Sequence, residues 1–400
     1  MNTWKNLLSQ KLLWIGAVVM AVVLTVFGLA MMGTALGAKP KEIPVAIVVL
    51  DEGADLPTGD KLNAGAMMKE KLLSNEQLPL EWTVLASEEE AMDGMHDKKY
   101  YGALLIPADL SANLATLASP DPKQAVIKAI VNEGLNMQAA SSVKQIFQQV
   151  IAGVNMEFAG QILQQLSANT PQIPAQTAQA LLTPIALDTQ TINPVGANQA
   201  NGGAPNILTQ MLWLGSLVIG AFSYLAASKA APASNRWALR TAQTAAGLIG
   251  TGLAASLLLW MAAGWYGMEV NAASDLWLLL LLAGASFYLL QSALLNWLGV
   301  PAMGILVLLM FFSMPVIGMA PEFLPEVARN WLYSWVPFRF VADGLRDVMY
   351  LGSTDSLNGI LSVLGAIAGV SLLAAIAAPL SRTVNPGTSA GQLNKANRQV

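Results

Sequence analysis

A chain of 400 residues that is 54% hydrophobic and 12% charged, with a mean hydropathy of +0.50, is not a soluble protein, because soluble domains carry about twice that charge. Cysteine is absent, which excludes disulfides and thiolate chemistry, and the single histidine, His96, has no second imidazole with which to build a zinc site. The net charge of −4 hides an asymmetry: residues 37–206 hold 10 lysines, no arginine and 18 acidic residues, a net of −8 that excludes nucleic acid as their partner.

In chain order, residues 1–11 read as a short cytoplasmic N-terminus carrying Lys5 and Lys11. Residues 12–36 are uncharged and long enough to cross a bilayer as a helix. The run exceeds the apolar core of a signal peptide, about 7–15 residues, so an uncleaved anchor is expected although Ala35-Leu36-Gly37 has the small residues of a cleavage site. Residues 37–206 alternate strand and helix: strands at Val45–Leu50, Leu80–Ala86, Tyr100–Ile106, Gln124–Val131 and 184–192, and helices at 61–74, after Ser87, after Asp109 or Ser111, and over 135–167. Ser87 stands three residues before Glu90, the spacing of a capping box. Pro171 and Pro174 break the chain, and a Gly/Asn/Pro-rich linker follows at 193–206. The expectation is an α+β domain with its own core.

Five further apolar runs crowd the second half, at about 207–227, 242–266, 276–298, 303–320 and 358–380. Short loops rich in Lys and Arg stay in the cytoplasm. The loop after the second run holds Lys229, Arg236 and Arg240 and no acid, and the tail at 381–400 holds Arg382, Lys395 and Arg398 and no acid. The 267–275 loop holds Glu269 and Asp275 and no base. The expected fold class is therefore a polytopic α-helical membrane protein with six transmembrane helices, arranged one plus five, and an α+β extracellular domain (37–206) inserted between the first and second. The five-helix membrane domain spans 207–380, and both termini are cytoplasmic.

The sequence offers no catalytic constellation: it contains no GxxxxGK[ST], GxSxG or HExxH, and an enzyme is not expected. Asp51-Glu52-Gly53 reads as a turn, with a cation site as the alternative, and Glu88-Glu89-Glu90 as acidic charge at a helix N-terminus. No cofactor or metal is expected. The spans hold polar but no ionisable residues, Gln243, Ser286, Gln291 and Asn296 among them, which argues against a proton relay; interhelical hydrogen bonding is their expected use. Segment 321–357 is apolar but broken by Pro321, Pro325 and Pro337. A re-entrant or interfacial hairpin at 321–350 is expected, containing Pro337 and held by Asp343 and Arg346, with Asp347 as a further candidate. An interfacial helix with snorkelling charges is the alternative. Gly365 and Gly369, and the cluster Gly247, Gly250 and Gly252, permit close helix packing, within the chain or between copies.

Several stretches together resemble the YhgE/Pip (phage infection protein) family. They are Ile43 to Ala54 (IPVAIVVLDEGA), then Gly59, Asn63 and Gly65, the Trp82 strand, Lys99 to Ala103, Ile106 to Ser111, Asn193-Pro194-Val195, and Trp213-Leu214-Gly215. Leu324-Pro325, Trp335 to Phe338 and Gly344-Leu345-Arg346 resemble the segment before the last span in this family and in ABC-2-type permeases. Many members carry a much longer coiled-coil insertion than this chain does. The resemblance implies an ABC-2-type exporter permease, working as a homodimer in membrane lipid with a separate cytoplasmic ATPase. That permease would move a hydrophobic, amphipathic or polymeric substrate outward. On the same resemblance, Lys229, Arg236 and Arg240 would lie in the ATPase-docking loop, where topology-setting charge is the alternative reading. The hairpin would line the exit. The competing function is a cell-surface protein that docks a phage, a secreted protein or an envelope component without transport.

Overall fold

A computed structural model describes Val18, Ala21, Thr25 and residues 39–56, 61–119, 122–169, 175–230, 235–352 and 355–378. The expected first span (12–36), the N-terminus (1–11) and the tail (381–400) lie outside the described residues, those three positions apart. The chain forms two compact units: Met1–Asn206 with Gly267–Ala272 and Phe312–Gly359, and Ile207–Tyr266 with Ala273–Phe311 and Ile360–Val400.

The first unit is built on strands β1 (Ile43–Val49), β4 (Leu80–Leu85), β5 (Gly102–Ile106), β6 (Ala125–Asn132) and β7 (Ile185–Ile192). A two-residue ribbon, β2 (Ala54–Asp55) with β3 (Lys61–Leu62), stands apart from them. The five-stranded sheet runs β4-β1-β5-β6-β7. β1 is parallel to β4 and β5, β6 is antiparallel to β5, and β7 is parallel to β6. Central strands covered on both faces read as unbroken apolar runs, and β1 (IPVAIVV) and β5 (GALLI) are such runs.

Their side chains alternate between two cores with the strand period of two. Val45 and Ile47 join a large core with Met68, Leu110, Val143 and Phe147. These come from helices α1 (Ala64–Leu73), α3 (Leu110–Ala115) and α4 (Met137–Asn169). Ala46 and Val48 join a smaller core with Ala91 and Met95 of α2 (Glu88–His96). The expected α+β domain is thus a mixed sheet with helices on both faces. Helix α5 (Ala175–Leu182), just after Pro174, was not expected.

Asp51 fastens this unit where the acidic turn was foreseen. Its Oδ1 accepts from the Ser111 N–H at 2.9 Å, and its Oδ2 accepts from the Gly65 N–H at 2.9 Å and the Ser111 hydroxyl at 2.5 Å. A Cβ at residue 65 would lie 2.5 Å from the Asp51 Cβ, so the close approach requires glycine. Asn63 caps α1 by accepting from the Ala66 N–H. Asp51 therefore ties the end of β1 to the first turns of two helices. The Ser87 box forms with one change: Ser87 accepts from Glu90 N–H, but Glu90 reaches back to the Ala86 N–H rather than to Ser87.

The second unit draws on α6 (Ala204–Ala230), α7 (Arg236–Trp260, widened by a π turn at Met261–Trp265), α8 (Ala273–Leu298), α9 (Ala302–Ile317) and, beyond the hairpin, a final helix Asp355–Ala377. Among the described residues four helices are long and apolar enough to span a membrane: α6, α7, α8 and the final one. α9 has 16 residues, about 24 Å at 1.5 Å per residue, short of the ~30 Å hydrocarbon core. The run expected at 303–320 stops early because Pro315 lacks an N–H and Gly318 and Pro321 follow at once. α8 is buried on most of its surface, as suits an apolar helix at the centre of a bundle. Trp237 and Trp260 mark the two ends of α7, and Trp277 and Trp297 those of α8. Those separations are about 35 and 30 Å, and tryptophan favours both membrane interfaces.

Candidate functional site

The hairpin and its anchorage in the first unit form the candidate site. After α9 the chain makes a 3-10 turn (Pro321–Phe323) and a short helix (Glu326–Ala328) that widens into a π turn (Arg329–Tyr333). Helix α10 (Pro337–Arg346) then opens with Pro337 at its first position, where no N–H is needed. A further π turn (Asp347–Leu351) ends at Gly352, whose φ of 73° suits a residue without Cβ.

The structure brings Asp343 and Arg346 together. Arg346 Nη1 donates to Asp343 Oδ1 at 2.6 Å. Its Nη2 donates to the Asn206 side chain at 2.9 Å and to the Ile317 carbonyl at 2.7 Å. The last carbonyls of a helix have no internal partner, so this guanidinium caps α9 and complements its dipole. Burial raises the pKa of the Asp343 carboxyl, against the pull of Arg346 and Arg339.

Asp347 turns elsewhere. It is 1% exposed and pairs with Lys98, which follows α2 in a left-handed conformation (φ 63°). Glu322 accepts from the Tyr101 hydroxyl at 2.9 Å, and its carbonyl accepts from the Lys41 N–H. Burial first, then the Glu322 charge, holds the Tyr101 phenol well above its usual pKa. Ala320 and Phe323 enter the large core of the sheet. The hairpin is thus fastened to the α/β domain by apolar burial, an ion pair and a phenol–carboxylate bond. Val327, Trp331 and Trp335, spaced four apart on its first arm, remain exposed.

In the second unit the expected roles change. Arg240 is 2% exposed, and its Nη1 donates to Gln243 Oε1 at 2.8 Å and Asn296 Oδ1 at 2.7 Å. Asn296 in turn donates to the Ala375 carbonyl of the final helix. Arg240 is therefore not displayed for docking. α7 begins at Arg236, so Arg240 lies one turn inside the helix, which corrects the expectation that the spans hold no ionisable residue. Lys229, at the end of α6, is exposed, and the Arg236 side chain lies outside the described residues. Gln291 donates to the Trp213 carbonyl and Ser286 to that of Leu364, so the polar span residues join helices. Gly365 and Gly369 meet no atom within 4 Å of an added Cβ; the close contact is at Gly247, where a Cβ would lie 1.8 Å from the Tyr288 ring. Within the chain, the close small-residue contact is the one at Gly247, between α7 and α8.

Residues 11–377 match the model of the family described as "ABC-2 family transporter protein". This chain is an ABC-2 family protein. It is accordingly a multi-pass membrane protein with a separate α/β region. It is 26% identical over 171 residues to "Uncharacterized protein YhgE" of Bacillus subtilis (strain 168), an alignment covering 40% of this chain and 21% of that protein. A solved structure, described as a domain of a candidate ABC type-2 transporter from Thermotoga maritima MSB8, aligns at 19% identity with a TM-score of 0.26, over 37% of this chain and 84% of that one. In this ABC-2 protein the sequence pointed to Pro337, Asp343 and Arg346 but not to Lys98, Tyr101, Asn206 or Glu322. Lys98 and Tyr101 are 249 and 221 residues from their hairpin partners, and no periodicity links them.

Proposed function

We propose that this protein is the permease subunit of an ABC-2 exporter, moving a hydrophobic, amphipathic or polymeric substrate outward as a homodimer with a separate cytoplasmic ATPase. The observation that carries the reading is the hairpin after α9, tied by Arg346 to the end of that helix and by Asp347 and Glu322 to the α/β domain. Such a device can transmit a helix movement to the domain. The sequence has no phosphate-binding GxxxxGK[ST], so hydrolysis falls to a partner.

The α/β domain, residues 267–272 and the hairpin, all assigned to the outer side from charge, gather in one unit, where Gln199 donates to the Glu269 carbonyl at 2.6 Å. That supports both termini being cytoplasmic and 37–206 extracellular. Lys229 and Arg236 remain the candidates for ATPase docking, without Arg240. The test is affinity purification of the tagged full chain in mild detergent, followed by mass spectrometry. A stoichiometric P-loop ATPase that disappears in a Lys229→Glu, Arg236→Glu double variant is expected; recovery of the intact protein with no ATPase would sink the reading.

A further inference from the structure

The five-stranded sheet ends in two edge strands, β4 and β7, and they are finished differently. An edge strand presents a row of unpaired N–H and C=O groups, which proteins cap, charge or interrupt. On β7 the first outward pair is taken. The Asn155 side chain accepts from the Ile185 N–H at 2.8 Å and donates to its carbonyl at 2.9 Å, as a neighbouring strand would. Asp188 adds an exposed charge in the middle of the strand. β4 (LEWTVL) has no lysine, no proline and, among the described residues, no side chain capping its outer edge.

The register shows which groups of β4 are free. The Pro79 carbonyl accepts from the Ile43 N–H, so Pro79, Glu81, Thr83 and Leu85 turn their backbone groups toward β1. Leu80, Trp82 and Val84 turn theirs outward, and among the described residues no strand meets them. Leu80 and Trp82 pack on the large core and Leu85 on the smaller one, which puts Val84 on the large-core face, where it is 43% exposed.

We propose that β4 pairs antiparallel with β4 of a second copy, joining the two sheets across a two-fold axis at Trp82. The proposal rests on the homodimer of the proposed function and names its contact in the α/β domain. Other centres bring outward groups together less well. Centred on Glu81, the pairing sets two carboxylates opposite each other, which is destabilising. Centred on Thr83, it spends a pair on Ala86, whose N–H already donates to Glu90 Oε2 at 3.0 Å. Centred on Trp82, it pairs Leu80 with Val84 on either side of the axis and Trp82 with its copy, about six hydrogen bonds in all. Glu81 then faces Thr83, with no like charge opposite, and the exposed Val84 is covered by Leu80 of the second copy.

The experiment is disulfide trapping of the full chain in membranes. The chain has no cysteine, so introduced thiols report one place only. Glu81 and Thr83 would form a pair without mutual hydrogen bonds, with Cα atoms about 4.5 Å apart, within disulfide reach. A Glu81→Cys, Thr83→Cys double variant should give a reducible dimer-mass band on mild oxidation. Each single variant should give none, because its two thiols lie about 8 Å apart along and across the strands, whereas the two singles co-expressed with different tags should cross-link to each other. Val84→Pro deletes only an outward N–H, so in the double variant it should remove most of the band while the thermal midpoint holds. Val84→Lys, which keeps the N–H and adds an edge charge, should weaken the band as well. A protein that is dimeric by mass photometry yet gives no band overturns this edge and leaves the homodimer standing; a monomer overturns both. A band as strong in either single variant, or a cross-link of a different mass to another protein, also overturns the proposal.

Discussion

Arg346 and Arg240 are both buried guanidiniums, and the two units hold them by different chemistry. Arg346 meets a carboxylate, an amide and the end of a helix, and so joins α10 to α6 and α9. Arg240 donates through one nitrogen to two amide oxygens, one on its own helix and one on α8. The first is an ion pair that fixes an irregular segment. The second belongs to a polar layer between regular helices, where Gln243 and Asn296 already lie 3.2 Å apart and can bond without it. A positive charge beside an apolar run therefore does not by itself mark a docking loop.

The sharpest way to break this contrast is Arg346→Ala. It leaves Asp343 unpaired and the Ile317 carbonyl without its cap, and breaking a buried pair costs roughly 3–5 kcal/mol. Asp343 is 28% exposed, so about 3 kcal/mol is expected, read as lost thermal stability of the solubilised protein. Arg346→Lys should recover little of it, because an ammonium cannot reproduce the fork. Gly247→Ala comes next: its Cβ would enter the Tyr288 ring, and overpacking of this kind costs about 1–3 kcal/mol. Gly365→Ala and Gly369→Ala in the same assay should be neutral or gain up to about 1 kcal/mol of helix propensity. Arg240→Met should cost about 1 kcal/mol, less than Arg346→Ala, because an apolar replacement leaves partners able to bond each other; equal losses would erase the distinction between the two arginines.

Tyr101→Phe should cost about 1 kcal/mol, for one hydrogen bond, near neutral pH. Its pH dependence is more telling. The folded-state pKa of this phenol is raised, so its contribution is complete below the unfolded value of about 10 and declines as pH rises beyond it. Denaturation at pH 8 and above pH 10 should show the gap between wild type and variant closing. A constant gap would mean the hydroxyl is not held as described.

Much of the α/β domain was legible because its signals are local. β1 and β5 are unbroken apolar runs, Asp51-Glu52-Gly53 is a turn before a helix, and Ser87 sits at a helix start. α5 was hidden by the prolines before it and its polar AQTAQ start, and the β2–β3 ribbon is too short for any period to register. Asp343 and Arg346 were readable as an i,i+3 pair on one helix. Their setting was not, since Asn206, Lys98 and Tyr101 reach the hairpin only through tertiary packing. Arg240 was misread because the sequence shows where apolar residues begin, whereas the helix begins six residues earlier, at Arg236, and carries a long polar side chain in with it.

The distance in sequence between Tyr101 and Glu322, 221 residues, has a temporal meaning. At about 5–20 residues per second, roughly 10–45 s pass on the ribosome between synthesis of the two halves of that contact. Throughout that interval the nascent sheet lacks Ala320 and Phe323 from its core, and Lys98 awaits Asp347. Biogenesis of this protein thus includes a waiting period, roughly 6–26 s from the end of β7 at Ile192 to Ala320, in which a finished sheet carries an open apolar notch that only the hairpin closes.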